Sequence, residues 1–135
     1  MVKMTGLYTG EKHCKAIHEP SQSTLETDAP RDNQGRGEKF SPTDLIGVAL
    51  GTCILTTLAI VAEKDGVDIK NSKFSVEKEM TSNPRRILTL KVVLELPNSI
   101  PIDYREKIEF TANNCPVKKS LNSDLAVPVE IRYQL

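Results

Sequence analysis

Apolar and polar residues alternate most strictly in three stretches of the chain. Phe74, Val76 and Met80 are apolar where Ser75, Glu77 and Glu79 are polar. After Thr81-Ser82-Asn83-Pro84, the residues Leu88, Leu90, Val92, Leu94 and Leu96 share one face, and Thr89, Lys91 and Glu95 share the other. A period of two marks a half-buried strand, so these two runs predict a β-hairpin. The third run, Leu125, Val127, Val129, Ile131, Tyr133 and Leu135, predicts a final strand. Pro128 has no N–H to give a ladder, which places that strand at a sheet edge or at a bulge. Weaker runs over Lys3 to Tyr8, His13 to His18 and Thr24 to Thr27, split at Thr9-Gly10 and Pro20-Ser21, predict an N-terminal three-stranded meander.

The period changes to that of a helix after a polar loop, Asp28 to Lys39, which carries Pro30, Gly35 and Gly37. Ser41 is a good N-cap, Pro42 suits the first helical position, and Asp44 sits three residues after the cap as in a capping box. The helix is expected to run to about Lys64, where Gly66 supplies a left-handed stop. From Leu45 to Ala62 it passes 18 residues without a charge, the lower edge of a membrane-spanning length. Gly47, Gly51, Thr52, Thr56 and Thr57 dilute its hydrophobicity, and the amphipathic strands need a partner, so it reads as a buried central helix. One sheet covers only one side of such a helix. A second copy of the chain is the expected cover for the rest, with Gly47 and Gly51 as a face where another backbone comes close.

A second helix is expected after Pro97 to Pro101, with Tyr104, Ile108 and Ala112 on one face and Cys115 continuing it. Pro116 breaks it, and a short helix from Pro116 to Leu121 follows. The order of strands, long helix, hairpin, helix and strand predicts an α+β fold with mostly antiparallel sheet, in a single domain spanning 1–135.

Composition narrows the function. Lys plus Arg and Asp plus Glu each number 18, and aromatic residues make up 4%. Nucleic acid is therefore not an expected partner, on either charge or stacking grounds. No apolar core of signal-peptide length opens the chain, which points to the cytoplasm, and three cysteines do not make a secreted disulfide framework. No membrane partner and no cofactor are expected.

The candidate chemistry lies in the cysteines. Cys53 is at mid-helix, where it is either a small core residue or a thiol that needs an outside cation to ionise. Cys115 lies where a helix breaks, able to cap the short helix behind Pro116, and free backbone N–H groups there favour a thiolate. His13, Cys14 and His18 do not make a metal site, since adjacent strand residues face opposite ways. Two cysteines on helices expected to pack together suggest a redox pair that cycles through a sulfenic acid and a disulfide.

Two motifs in this order resemble the OsmC/Ohr family: FSPTDLIGVALGTC at residues 40 to 53, and NNCPVKKSL at residues 113 to 121, about 60 residues apart. The loop TDAPRDNQGRGEKF is similar to the family's connecting segment. The resemblance implies an OsmC-like α+β fold and an intertwined homodimer with the long helix at its centre. It also implies thiol-dependent reduction of small organic hydroperoxides, with Cys53 peroxidatic, Cys115 resolving, and a lipoyl-like dithiol as reductant. The family's peroxidases hold the thiolate with an Arg from the N-terminal strands, but no Arg precedes Arg31 here. Lys12, Arg31 and Arg36 are the candidate replacements. The family's helix-start Glu falls on Thr43, with Asp44 one residue on. These departures open the alternative of an altered OsmC-like protein that binds a small apolar or thiol ligand at the dimer interface.

Overall fold

The computed structural model describes residues 1–135. The backbone forms two compact units, Met1–Ile46 and Gly47–Leu135. The elements are α+β, as the sequence pattern predicts.

In the first unit, β1 (Met4–Gly10), β2 (His13–His18) and β3 (Ser23–Asp28) form an antiparallel sheet in the order β1-β2-β3. The β1–β2 turn takes positive φ at Gly10, Glu11 and Lys12 in succession. The polar segment after β3 is a tied loop holding a 3-10 turn at Arg31–Asn33. Asp28 N–H donates to Phe40 O at 3.2 Å, and Ala29 N–H donates to Lys12 O at 3.0 Å. A Cβ on Gly35 would lie 1.7 Å from the Ala29 carbonyl oxygen, so only glycine lets the loop close.

α1 (Pro42–Lys64) begins on the expected cap. Asp44 N–H donates to Ser41 Oγ at 3.1 Å, and Ser41 N–H donates to Asp44 Oδ2 at 2.8 Å. This is a reciprocal capping box built with Asp rather than Glu. At the far end, Gly66 N–H donates to Glu63 O and Val67 N–H to Ala62 O, a Schellman stop with Gly66 at φ 71°.

In the second unit, β4 (Lys73–Thr81) pairs antiparallel with β5 (Arg86–Leu96), and β5 pairs with the edge strand β6 (Val129–Tyr133). The core side of this sheet meets the buried stripe of α1. Leu50, Ile54 and Leu58 are fully buried with Leu90, Val92, Leu94 and Leu96. Each such side chain contributes about 1.5–3 kcal/mol by leaving water. α2 (Arg105–Ala112) adds Ile108 and Ala112, and α3 (Pro116–Ser120) follows it.

Three details differ from the sequence expectations. The β4–β5 ladder shifts between Glu79 and Met80, which pair with Thr89 and Ile87, so Leu88 is bulged out and Ile87 takes the core place expected for it. β6 runs parallel to β5, and its regular pairing covers only residues 129–133, with one isolated bridge at Thr89–Ala126. Pro128 offers that ladder only its carbonyl, to Val92 N–H at 2.9 Å. The close neighbours of Gly47 and Gly51 are side chains of β4 and β5, not a second backbone. A Cβ on Gly51 would lie 2.3 Å from the Phe74 ring, and one on Gly47 would lie 3.4 Å from Val76.

Candidate functional site

The fold packs Cys53 of α1 against the apolar cluster that holds Cys115, the residue before α3. Cys53 sits on α1 beside the buried stripe, half-buried, and packs against the hydrophobic cluster to which Cys115 belongs. Cys115 is fully buried. It has extended backbone and forms the N-cap of α3, whose Lys118 N–H donates to its sulfur at 3.4 Å. The sulfurs are not bonded to each other.

Burial raises the Cys115 thiol above its ordinary 9.0. The N–H groups of Lys118 and Val117 oppose that rise, while a hydrogen bond and like charge from the neighbouring Cys53 add to it. The expected cap is present and its N–H groups favour the thiolate, but burial is the larger influence and the thiol is raised overall. The two cysteines also differ in exposure: Cys53 is half-buried and Cys115 fully buried.

Thr57, which sequence reading missed, adds to this site. Its hydroxyl lies 3.9 Å from the Cys53 sulfur, one helical turn on. The spacing of four was the available signal, because residues i and i+4 of a helix are neighbours.

The other candidates have definite places. Asp44 caps α1 as described, and Thr43 Oγ1 lies 3.2 Å from Ser41 Oγ, so both take part in starting the helix. Lys12 is exposed in the β1–β2 turn, where its N–H donates to the Tyr8 hydroxyl at 3.2 Å. Arg31 donates through Nε to Arg36 O at 3.2 Å. Arg36 forms an ion pair with Glu11 at 3.0 Å, and its second guanidinium nitrogen is 3.7 Å from Asp28.

Unit one also holds a buried polar cluster. His13 Nδ1 lies 2.6 Å from Asp28 Oδ1, and Nε2 lies 3.1 Å from Glu26 Oε1. Hydrogen bonds to Asp28 and then Glu26 raise the imidazole above its ordinary 6.5 against burial, and those same bonds lower both carboxyls. Asp28 Oδ2 also accepts from Glu38 N–H at 3.1 Å, so the charged pair pins the loop that leads to α1. Cys14 is exposed on the opposite sheet face, and His18 bonds Ser21 Oγ at 2.6 Å. These three residues therefore do not converge.

A groove of about 450 Å³ follows the C-terminal half of α1, lined by Leu55, Thr56, Ala59, Val67 and Ile69 among others. Neither cysteine lines it.

Comparison with known proteins bears on the fold and the family. The family model described as OsmC-like protein matches residues 35–131. A crystal structure from Psychrobacter arcticus, of a protein named for osmotic stress induction and detoxification response, is 36% identical. It covers 98% of this chain and 96% of its own, with a TM-score of 0.93. An OsmC-like protein from Mycoplasma pneumoniae is 21% identical over 97% of this chain and 95% of its own, with a TM-score of 0.79. The organic hydroperoxide resistance protein OhrB of Bacillus subtilis is 15% identical over 98% of each chain, with a TM-score of 0.70. At that level of identity these last two show a shared fold. No curated protein matches.

Proposed function

This chain belongs to the OsmC-like protein family, and on that premise we propose that it is a thiol-dependent peroxidase reducing organic hydroperoxides to alcohols. A peroxide-resistance or redox-related role is what the family as a whole supports. The observation that carries the finer reading is the packing of a half-buried Cys53 against the cluster that holds a fully buried Cys115.

The chemistry follows from that asymmetry. The Cys53 thiolate attacks the distal oxygen of ROOH, the O–O bond breaks, RO⁻ leaves and takes a proton, and Cys53 becomes a sulfenic acid. The Cys115 sulfur then attacks the sulfenic sulfur. Its proton and the sulfenic OH leave as water, and a Cys53–Cys115 disulfide forms. A small dithiol, of lipoyl type by family likeness, reduces the disulfide in two exchanges and is itself oxidised to a cyclic disulfide. A reducing cytoplasm, our proposed location, supplies such thiols.

We also propose that the working form is a homodimer. α1 is long and apolar enough to cross a membrane by length and composition. One of its faces is covered by the chain's own sheet, while Ile46 and Ile60 lie on the outside at 37% and 59% exposure. A second copy laid against this side would remove both from water and give Cys53 an apolar surround that favours alkyl peroxides.

One observation favours the alternative of a ligand-binding protein without peroxidase activity. The Arg36 guanidinium, a candidate for activating Cys53, is engaged by Glu11 and Asp28 within its own unit. Purified protein supplied with cumene hydroperoxide and dihydrolipoamide decides between them. Consumption that vanishes in Cys53→Ser, with a Cys53–Cys115 peptide recovered under non-reducing conditions, is the expected result. No consumption and no such peptide would select the binder.

A further inference from the structure

Thr52, Thr56 and Thr57 follow one another along α1, the first two exposed and the third half-buried, and they do not behave alike. Thr52 donates its hydroxyl to Val48 O at 2.8 Å and approaches Ala49 O at 3.2 Å. Thr56 donates to Thr52 O at 3.0 Å and approaches Cys53 O at 3.2 Å. That back-bonding to the preceding turn is the ordinary resting place of a helical threonine hydroxyl. Thr57 does not take it. The residue is half-buried, and its one side-chain partner is the Cys53 sulfur at 3.9 Å.

We propose that the Thr57 hydroxyl is a positioning residue that holds Cys53 as a nucleophile by donating to its sulfur. The proposal rests on the reading of Cys53 as the reactive thiol, and it deepens that reading. A protonated thiol is a weak acceptor, so at 3.9 Å the contact adds little to that form. An ionised sulfur is a strong one, and charge-assisted bonds are shorter and about twice as strong as neutral ones. The hydroxyl therefore discriminates between the two forms in favour of the reactive one. It acts from the same helix, fixed by the i, i+4 geometry, and needs no movement of another element. The hydroxyl gives Cys53 a partner from its own unit, whatever cation also serves it. On oxidation Cys115 becomes the resolving nucleophile, while the Thr57 hydroxyl remains in place to hold the sulfenic group.

The test compares the wild-type chain with Thr57→Val and Thr57→Ser, reading the rate of iodoacetamide alkylation of Cys53 at neutral pH and the thiolate absorbance in the ultraviolet. Valine keeps the shape and removes the donor, so alkylation slows by about tenfold, the effect of losing one hydrogen bond to a charged group, and the thiolate absorbance falls. Serine keeps the hydroxyl and restores both. Valine reacting like wild type overturns the proposal. Serine as slow as valine also overturns it, since the methyl group and not the hydroxyl would then matter. Circular dichroism of both variants confirms that they are folded. None of these readouts needs a hydroperoxide, so failure of the peroxidase reading is seen separately, in the turnover of the wild type.

Discussion

Gly47 and Gly51 stand one turn apart on the buried side of α1, yet replacing each with alanine should move stability in opposite directions. In a helix interior, alanine is favoured over glycine by about 1 kcal/mol. At Gly47 the new Cβ would meet Val76 Cγ1 at 3.4 Å and Leu90 Cδ2 at 3.7 Å, ordinary contact distances. The helix preference then prevails, and Gly47→Ala should stabilise by about 0.5–1 kcal/mol. At Gly51 the Cβ would lie 2.3, 2.4 and 2.9 Å from three atoms of the Phe74 ring. Overpacking of that kind costs about 1–3 kcal/mol. Phe74 is half-buried and able to swing partly outward, so the net result for Gly51→Ala is a loss of about 1 kcal/mol. The two variants should differ by about 2 kcal/mol, or about 1 M in the urea midpoint, compared at equal protomer concentration because association shifts apparent stability. Shortening the ring with Phe74→Leu in the Gly51→Ala background should recover most of the loss through a coupling of about 1 kcal/mol. If Gly51→Ala stabilises as much as Gly47→Ala, the packing of β4 on α1 is not what holds this helix.

The Cys115→Ser variant should still alkylate at Cys53 but form no intramolecular disulfide, and mass spectrometry after hydroperoxide treatment should find Cys53 in higher oxidation states; an unchanged disulfide yield through Cys14 would contradict the assignment. His13→Gln should be destabilising in a pH-dependent way. The imidazole is raised above 6.5, so its contribution is complete below that pH and is lost as pH rises through its folded value; the lowered Glu26 and Asp28 lose theirs as pH falls below their ordinary 4.5 and 3.8. The gap between wild type and variant in denaturant should thus be widest between about pH 5 and 6.5 and should narrow on the alkaline side; a constant gap would refute the charged pair. Tyr104 is pushed up to about 12 by burial and then by its hydrogen bond to Asp65, at 2.7 Å. Asp65→Asn should bring the latest step of a spectrophotometric tyrosine titration to lower pH, and no movement would show that burial alone sets it.

Much of this molecule was readable from residue order, where a signal was local. The cap at Ser41, the stop at Gly66 and the alternation from Phe74 to Leu96 each rest on neighbours in sequence, and each gave its element. The bulge that exchanges Leu88 for Ile87 was hidden because a continuous apolar run fits either register until the partner strand is known. The direction of β6 was hidden for a similar reason, since period two says which side faces the core but not which way the strand runs. The site shows the same division. The nomination of Cys53 and Cys115 came from two motifs, but the upward shift of the Cys115 thiol depends on how completely the core closes over it, which no local pattern records. Thr57 was seen as a diluting polar residue, although its distance of four from Cys53 already put it on the same side of the helix.

The direction of β6 has a consequence for where the second sulfur can be. Strands that run opposite ways can be joined by a tight hairpin of a few residues, whereas neighbours that run the same way oblige the chain to travel back along the whole sheet before starting again. The return path from Leu96 to Val129 is that journey, and Cys115 lies near its middle, at the break between α2 and α3. The second cysteine therefore rides on a connection that the parallel pairing itself requires.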